Sequence, residues 1–146
     1  DEPYADEIAQ QVMRDLHKGV DISTTTALYK EIELALANIR MSKEERKEAL
    51  KKSGARVFQA LRIDVNSEFE VLYAFMEKLP KALRPGGRVA VLTFHSGEDR
   101  IVKKAFQAYQ RQGIYSEVAR DVIRPSKEEC FRNSRAHSTK LRWAKL

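Results

Sequence analysis

Apolar residues recur at helical spacing through the first half of the chain and gather into short strand-like runs in the second. Tyr4, Ile8, Val12 and Leu16 mark one face of a first helix, which opens on Asp1-Glu2-Pro3 and is expected to stop near Gly19. Ser23-Thr24-Thr25-Thr26 is a poor helix interior but a good helix entrance, because hydroxyls accept from the unpaired N–H groups of a first turn. Leu28, Ile32, Leu36 and Ile39 then supply the apolar face of a second helix. Ser42 and Glu45 have capping-box spacing and predict a third, very polar helix through about Lys52, with Gly54 breaking the pattern. From Ala55 to Leu83 the helical pattern resumes, either as one long helix or as two with a joint near Asp64 to Ser67.

Arg84-Pro85-Gly86-Gly87 ends that pattern with a proline that cannot continue a helix and glycines free to turn. The run Arg88 to Phe94 is apolar at successive positions, which predicts an interior strand covered on both faces. A helix over Glu98 to Gln112 follows, with Ile101, Val102, Ala105, Phe106 and Tyr109 turned inward and Gly113 closing it. Tyr115 to Ile123 and Thr139 to Ala144 are the remaining strand candidates, separated by a proline turn and a short helix start at Arg124 to Glu129. The expected class is α/β, with an N-terminal all-α segment ahead of the strands.

Composition adds limits to this picture. With 146 residues the chain is one ordinary domain or one and a half small ones. No apolar run approaches the roughly 20 residues of a membrane span, and no signal-peptide pattern is seen, so a cytoplasmic location is expected. The single cysteine, Cys130, rules out an internal disulfide and any multi-cysteine metal site, and it receives no role.

Charge divides the chain. Residues 1 to 80 carry 12 Lys/Arg against 15 Asp/Glu, net −3, whereas residues 81 to 146 carry 15 against 6, net +9. A basic half of that strength suits a polyanion, of which nucleic-acid phosphate is the commonest, although the same charges also serve as a solvated surface.

Candidate chemistry is sparse. There is no glycine-rich phosphate loop after an early strand, no CxxC, no HExxH and no paired histidine, so no metal site is expected; Gly86-Gly87 precedes a strand and reads as a turn. The first candidate site is His95-Ser96-Gly97-Glu98-Asp99-Arg100, at the exit of the buried strand, where ligands bind in open α/β sheets. Its simpler account is a helix entrance, with Ser96 as cap and Asp99 completing a box-like cap. The second candidate is Asn133 to Arg142 with Arg132 just before it, where Arg132, Arg135, His137, Lys140 and Arg142 are interleaved with hydroxyl and amide groups such as Ser138 and Asn133. Arg56, Gln59 and Arg62 add a polar line along one helix face.

Five stretches occur in one order: Arg56-Val57-Phe58-Gln59-Ala60-Leu61-Arg62-Ile63, Arg84 to Arg88, Phe94-His95-Ser96 with Glu98 to Lys103, Arg124-Pro125-Ser126 with Glu128-Glu129, and Asn133-Ser134-Arg135-Ala136 with Ser138 and Lys140 to Arg142. That ordered set resembles the ribosomal RNA small-subunit methyltransferase H family, which methylates N4 of a cytidine in 16S rRNA. The resemblance implies a Rossmann-like methyltransferase sheet, here only in part, and S-adenosylmethionine as cofactor. It corresponds to the later, C-terminal part of the family: residues 1–62 to the end of a helical insertion for substrate recognition, and residues 63–146 to the closing strands of the methyltransferase domain. The family's main cofactor-binding half is not matched, so no residue is assigned to the cofactor.

By the same resemblance, His95, Ser96 and Asp99 are the catalytic candidates beside a flipped cytosine, and Arg56, Arg62, Arg100, Arg135 and Arg142 the grips on RNA. The implied partner is 16S-type rRNA or the small ribosomal subunit, with no membrane; this chain alone is expected to be inactive. Gly97 stands where the family usually has leucine and His137 where it usually has arginine. Two other readings compete with the enzyme: a non-catalytic RNA-binding module, and a fragment that self-associates or pairs with a missing N-terminal half through an open sheet edge.

Overall fold

A computed structural model describes residues 2–146; Asp1, placed at the start of the first predicted helix, lies outside the described residues. The chain divides into two compact units, Asp1–Asn66 and Ser67–Leu146. The division falls between the end of one helix at Val65 and the start of the next at Glu68.

The first unit holds three helices, α1 (Ala5–His17), α2 (Thr25–Ala37) and α3 (Lys43–Val65). Its core is Ile8 from α1 with Ile32, Ala35 and Leu36 from α2, flanked by Ala49, Leu50 and Val57 of α3. Thr24 caps α2 by accepting from the N–H of Ala27, and Ser42 and Glu45 form the reciprocal box at the start of α3. Gly54, expected to break the helix, instead lies inside α3. A Cβ there would stand 2.7 Å from the Tyr29 ring, so the glycine makes room for α2 and does not end α3. Nearby, the buried Ser53 hydroxyl donates to Oε1 of Glu2 at 2.7 Å and ties α3 to the start of the chain.

Asn66 closes α3, and Ser67 adopts the left-handed region (φ 49°) before α4 (Glu68–Ala82). The second unit then continues with β1 (Arg88–Thr93), α5 (Ser96–Arg111), β2 (Glu117–Val118), α6 (Lys127–Arg132), a 3-10 turn (Ser134–Ser138) and β3 (Lys140–Lys145). The strand order is β1-β3-β2, with both pairings antiparallel. The parallel part of a Rossmann-like sheet is therefore not among the described strands.

Two strand expectations need correction. Because β3 pairs with only one side of β1, β1 is an edge strand here and not an interior one. Its side chains alternate: Val89 and Val91 pack against the core, Thr93 is buried, and Leu92 is half exposed. The expected strand Tyr115 to Ile123 shrinks to β2, one further hydrogen bond from Ala119 to Trp143, and an isolated bridge from Ile123 to Leu141. Exposed Arg120 and Asp121 lie where the backbone leaves the sheet. In β3, Trp143 stands opposite Ala90 in register.

Met76 and Leu79 of α4, Ile101, Val102 and Phe106 of α5, Tyr115 and Ala144 make the core of the second unit. Tyr115 packs edge-on against both Phe106 and Tyr109. The core thus sits between one face of the sheet and α4 with α5, and it fixes α5 directly behind the exit of β1.

Candidate functional site

The exit of β1 is closed by a network different from the expected one. His95, not Ser96, caps α5: arriving in extended conformation, it turns Nδ1 to accept from the N–H groups of Gly97 (3.2 Å) and Glu98 (3.4 Å). An imidazole nitrogen here does what a serine hydroxyl ordinarily does, satisfying orphan donors of the first turn. Glu98, at the third helical position, reaches back so that its Oε2 accepts from the N–H of Phe94 at 2.9 Å. Ser96 is left exposed at the first position of the helix, with its hydroxyl unspent.

The imidazole itself is mostly enclosed, its side chain 17% exposed. Its Nε2 lies 3.2 Å from Oε1 of Glu98, off line for a hydrogen bond, and has no other partner among the described residues. Since Nδ1 accepts, the proton of the neutral ring resides on Nε2 and faces that carboxylate. The Phe69 ring leans on the imidazole, with centroids 5.9 Å apart and planes at 57°. Gly97 fits this packing: a Cβ there would stand 2.9 Å from Phe69 and 3.1 Å from the imidazole.

Asp99 takes no part in the cap. Its carboxylate is buried and accepts twice from Arg142 of β3, at 2.7 Å from Nε and 3.3 Å from Nη2, with Lys140 Nζ at 3.6 Å. Burial pushes the Asp99 carboxyl up, but the hydrogen bonds and charge of Arg142, helped by Lys140, outweigh it and hold the group below its ordinary value. The pair ties the first turn of α5 to the central strand.

Glu68, His95 and Glu98 present ligand-type atoms within 4.8 Å of one another. The histidine works against a metal there. Binding through Nε2 needs the proton on Nδ1, which would then face two backbone N–H donors.

The expected RNA contacts are dispersed. Arg142 is buried, and its guanidinium is used by Asp99 and not presented to a phosphate. Arg100 is exposed on α5, beside a cavity of about 520 Å³ lined by Tyr73, Glu77, Lys104 and Tyr109. Arg135 is exposed on the 3-10 turn, beside a cavity of about 310 Å³ floored by Leu92, Phe94, Ile123, Pro125 and Leu141. In the first unit, Arg56 pairs with Glu2 at 3.3 Å, and Arg62 lies in the last turn of α3.

Three features escaped the sequence reading: the cap by His95, the reach of Glu98 to Phe94, and the Asp99–Arg142 pair. Only the last left a trace. Arg142 stands two positions before Ala144 on the same strand face, where a buried cation needs a carboxylate.

Comparisons with known proteins agree on one family. The MraW methylase family matches the chain over residues 1–146. The chain is 60% identical over 144 residues to ribosomal RNA small subunit methyltransferase H 1 of Lachnoclostridium phytofermentans, covering 99% of this chain and 39% of that protein. It is 57% identical to ribosomal RNA small subunit methyltransferase H 2 of Alkaliphilus metalliredigens, with 99% and 41% covered. With ribosomal RNA small subunit methyltransferase H of Prochlorococcus marinus it shares 40% identity, over all of this chain and 46% of the relative. The chain spans about two-fifths of the length of these relatives, and among the described residues no helix is long and apolar enough to cross a membrane. With its residues 1–146 matched by that family, the chain belongs to the MraW methylase family.

Proposed function

We propose that this chain is the substrate-facing part of an S-adenosylmethionine-dependent rRNA methyltransferase acting on N4 of a cytidine. The observation that carries the reading is the junction at the end of β1. There His95 caps α5 and fixes the backbone, while Ser96 offers an unspent, exposed hydroxyl beside it.

Cytosine N4 is a weak nucleophile because its lone pair is delocalised into the ring. The enzyme must therefore hold the amine out of conjugation, in line with the methyl of the sulfonium; as the N–C bond forms, the S–C bond breaks to leave a neutral thioether, and the amine proton passes to water or another acceptor. In this reading Ser96 contacts the base. His95 and Asp99 act as positioning residues, His95 through its cap and Asp99 through Arg142. Arg56, Arg62, Arg100 and Arg135 meet the RNA. S-adenosylmethionine supplies the methyl group, and no residue of this chain is assigned to it.

The chain is read as the later part of the family's fold, residues 1–62 belonging to the helical insertion and 63–146 to the methyltransferase sheet. An edge strand with one paired side supports that placement, because a further strand of the same sheet would pair with its open edge. A cytoplasmic site of action goes with the rRNA substrate.

The test is reconstitution with a separately made N-terminal half of a relative. Saturable S-adenosylmethionine binding by calorimetry is expected for the mixture, and His95→Ala is expected to abolish methyl transfer while circular dichroism stays unchanged. A mixture that binds no cofactor sinks the enzymatic reading, and unchanged turnover in His95→Ala returns the histidine to a purely local cap.

A further inference from the structure

We infer that the cavity between the outer face of β1 and the 3-10 turn is a second nucleotide site, which holds an unpaired RNA residue next to the target by stacking. This inference rests on the rRNA reading above. Leu92, Phe94 and Leu141 form the apolar floor, and Phe94 is 54% exposed. The volume, about 310 Å³, exceeds that of a single base and leaves room for its ribose.

Around this floor stand Arg124 and Arg135, both exposed and neither paired with a carboxylate among the described residues; Glu129 is the one acid in the lining. Phe131 of α6, 92% exposed, is not in this lining: two positions on from Glu129, it lies on the opposite side of the helix.

An open aromatic face such as that of Phe94, beside unpaired guanidinium groups, is the combination that binds single strands: every base has a face to stack, and the cations follow the backbone. A protein partner would also cover apolar surface, but it gives two unpaired arginines nothing to answer unless it is acidic there. The charge on this half of the chain favours the polyanion. The cavity lies beside Phe94, one residue from His95, so a strand whose target base reaches the junction has its neighbour within reach of this floor.

Binding of a short fluorescein-labelled single-stranded RNA of mixed sequence, followed by anisotropy over a salt series, tests the inference. Phe94→Ala is expected to weaken binding about tenfold with the salt slope unchanged. Phe94→Trp is expected to keep the affinity, and its added emission should be quenched by RNA. Arg135→Ala and Arg124→Ala are each expected to make the slope shallower by about 0.7. Binding left intact by Phe94→Ala overturns the inference alone. Sedimentation showing a dimer dispersed by Phe94→Ala, with RNA affinity unaltered, assigns the face to a protein contact and overturns it too. A wild-type chain with no saturable RNA binding removes both this site and the rRNA reading.

Discussion

Replacing Arg142 by methionine leaves the Asp99 carboxylate in a nearly closed site with only Lys140, 3.6 Å away, to answer it. Removing one partner of a buried pair costs about 3–5 kcal/mol, and the remaining lysine places the expected loss near the lower end. Urea unfolding at neutral pH reads this directly; a loss below about 1 kcal/mol would mean that the pair is solvated. Asp99 also sets an acid limit. Its carboxyl titrates below the ordinary value in the folded chain, so its contribution is complete above the unfolded-state value of about 4 and is lost as pH falls through the folded one. Asp99→Asn is therefore expected to lower stability at neutral pH and to flatten the decline below about pH 4. An unaltered acid limb would exclude this carboxylate as its source. The gathering of His95, Ser96 and Asp99 at the β1 junction was legible, because they are near neighbours in sequence. Their division of labour was not. Which atom caps a helix depends on the conformation in which the preceding strand delivers the chain, and a list of residues does not carry that.

At the scale of elements, the first turn of α5 is where local preference and packing oppose each other. Alanine at Gly97 gains about 1 kcal/mol in helix propensity. The added methyl stands 2.9 Å from Phe69 and 3.1 Å from His95, so two rings must give way, and overpacking of this kind costs about 1–3 kcal/mol. Gly97→Ala is expected to be net destabilising by about 1 kcal/mol and to speed hydrogen exchange at the Gly97 and Glu98 amides that His95 holds. A gain in melting temperature with slow amides would show that the rings adapt. The same contest explains where the pattern misled. Gly54 looks like a helix breaker when only propensity is weighed, yet α3 runs through it because the missing side chain admits Tyr29. The caps at Thr24 and Ser42 were readable because each depends on neighbours within a few residues, whereas the joint at Asn66–Ser67 was one of two alternatives the pattern left open. The contraction of β2 and the edge position of β1 depend on which strands pair, and that is settled by partners distant in sequence.

Across the whole molecule, charge and core are arranged differently in the two units. The helical unit has a modest core of one isoleucine from α1 with three residues of α2, whereas the strand-bearing unit has the larger core and most of the basic excess. RNA affinity is accordingly expected to fall steeply with salt, and the slope should respond to arginines of the second unit. Family membership was legible because the motifs occur in one order along the chain. The resemblance already implied that the chain is only part of the family's length, and the comparisons put the share near two-fifths. The register that sets Trp143 opposite Ala90 has an optical consequence. It is the only tryptophan in the chain, so indole emission is a lamp placed in the sheet, while far-ultraviolet ellipticity sums the helices of both units. Loss of the Asp99–Arg142 tie must lower the midpoint seen by that lamp, whatever α1, α2 and α3 do; an emission midpoint that stays in place in Arg142→Met would separate the tie from the sheet it is drawn to hold.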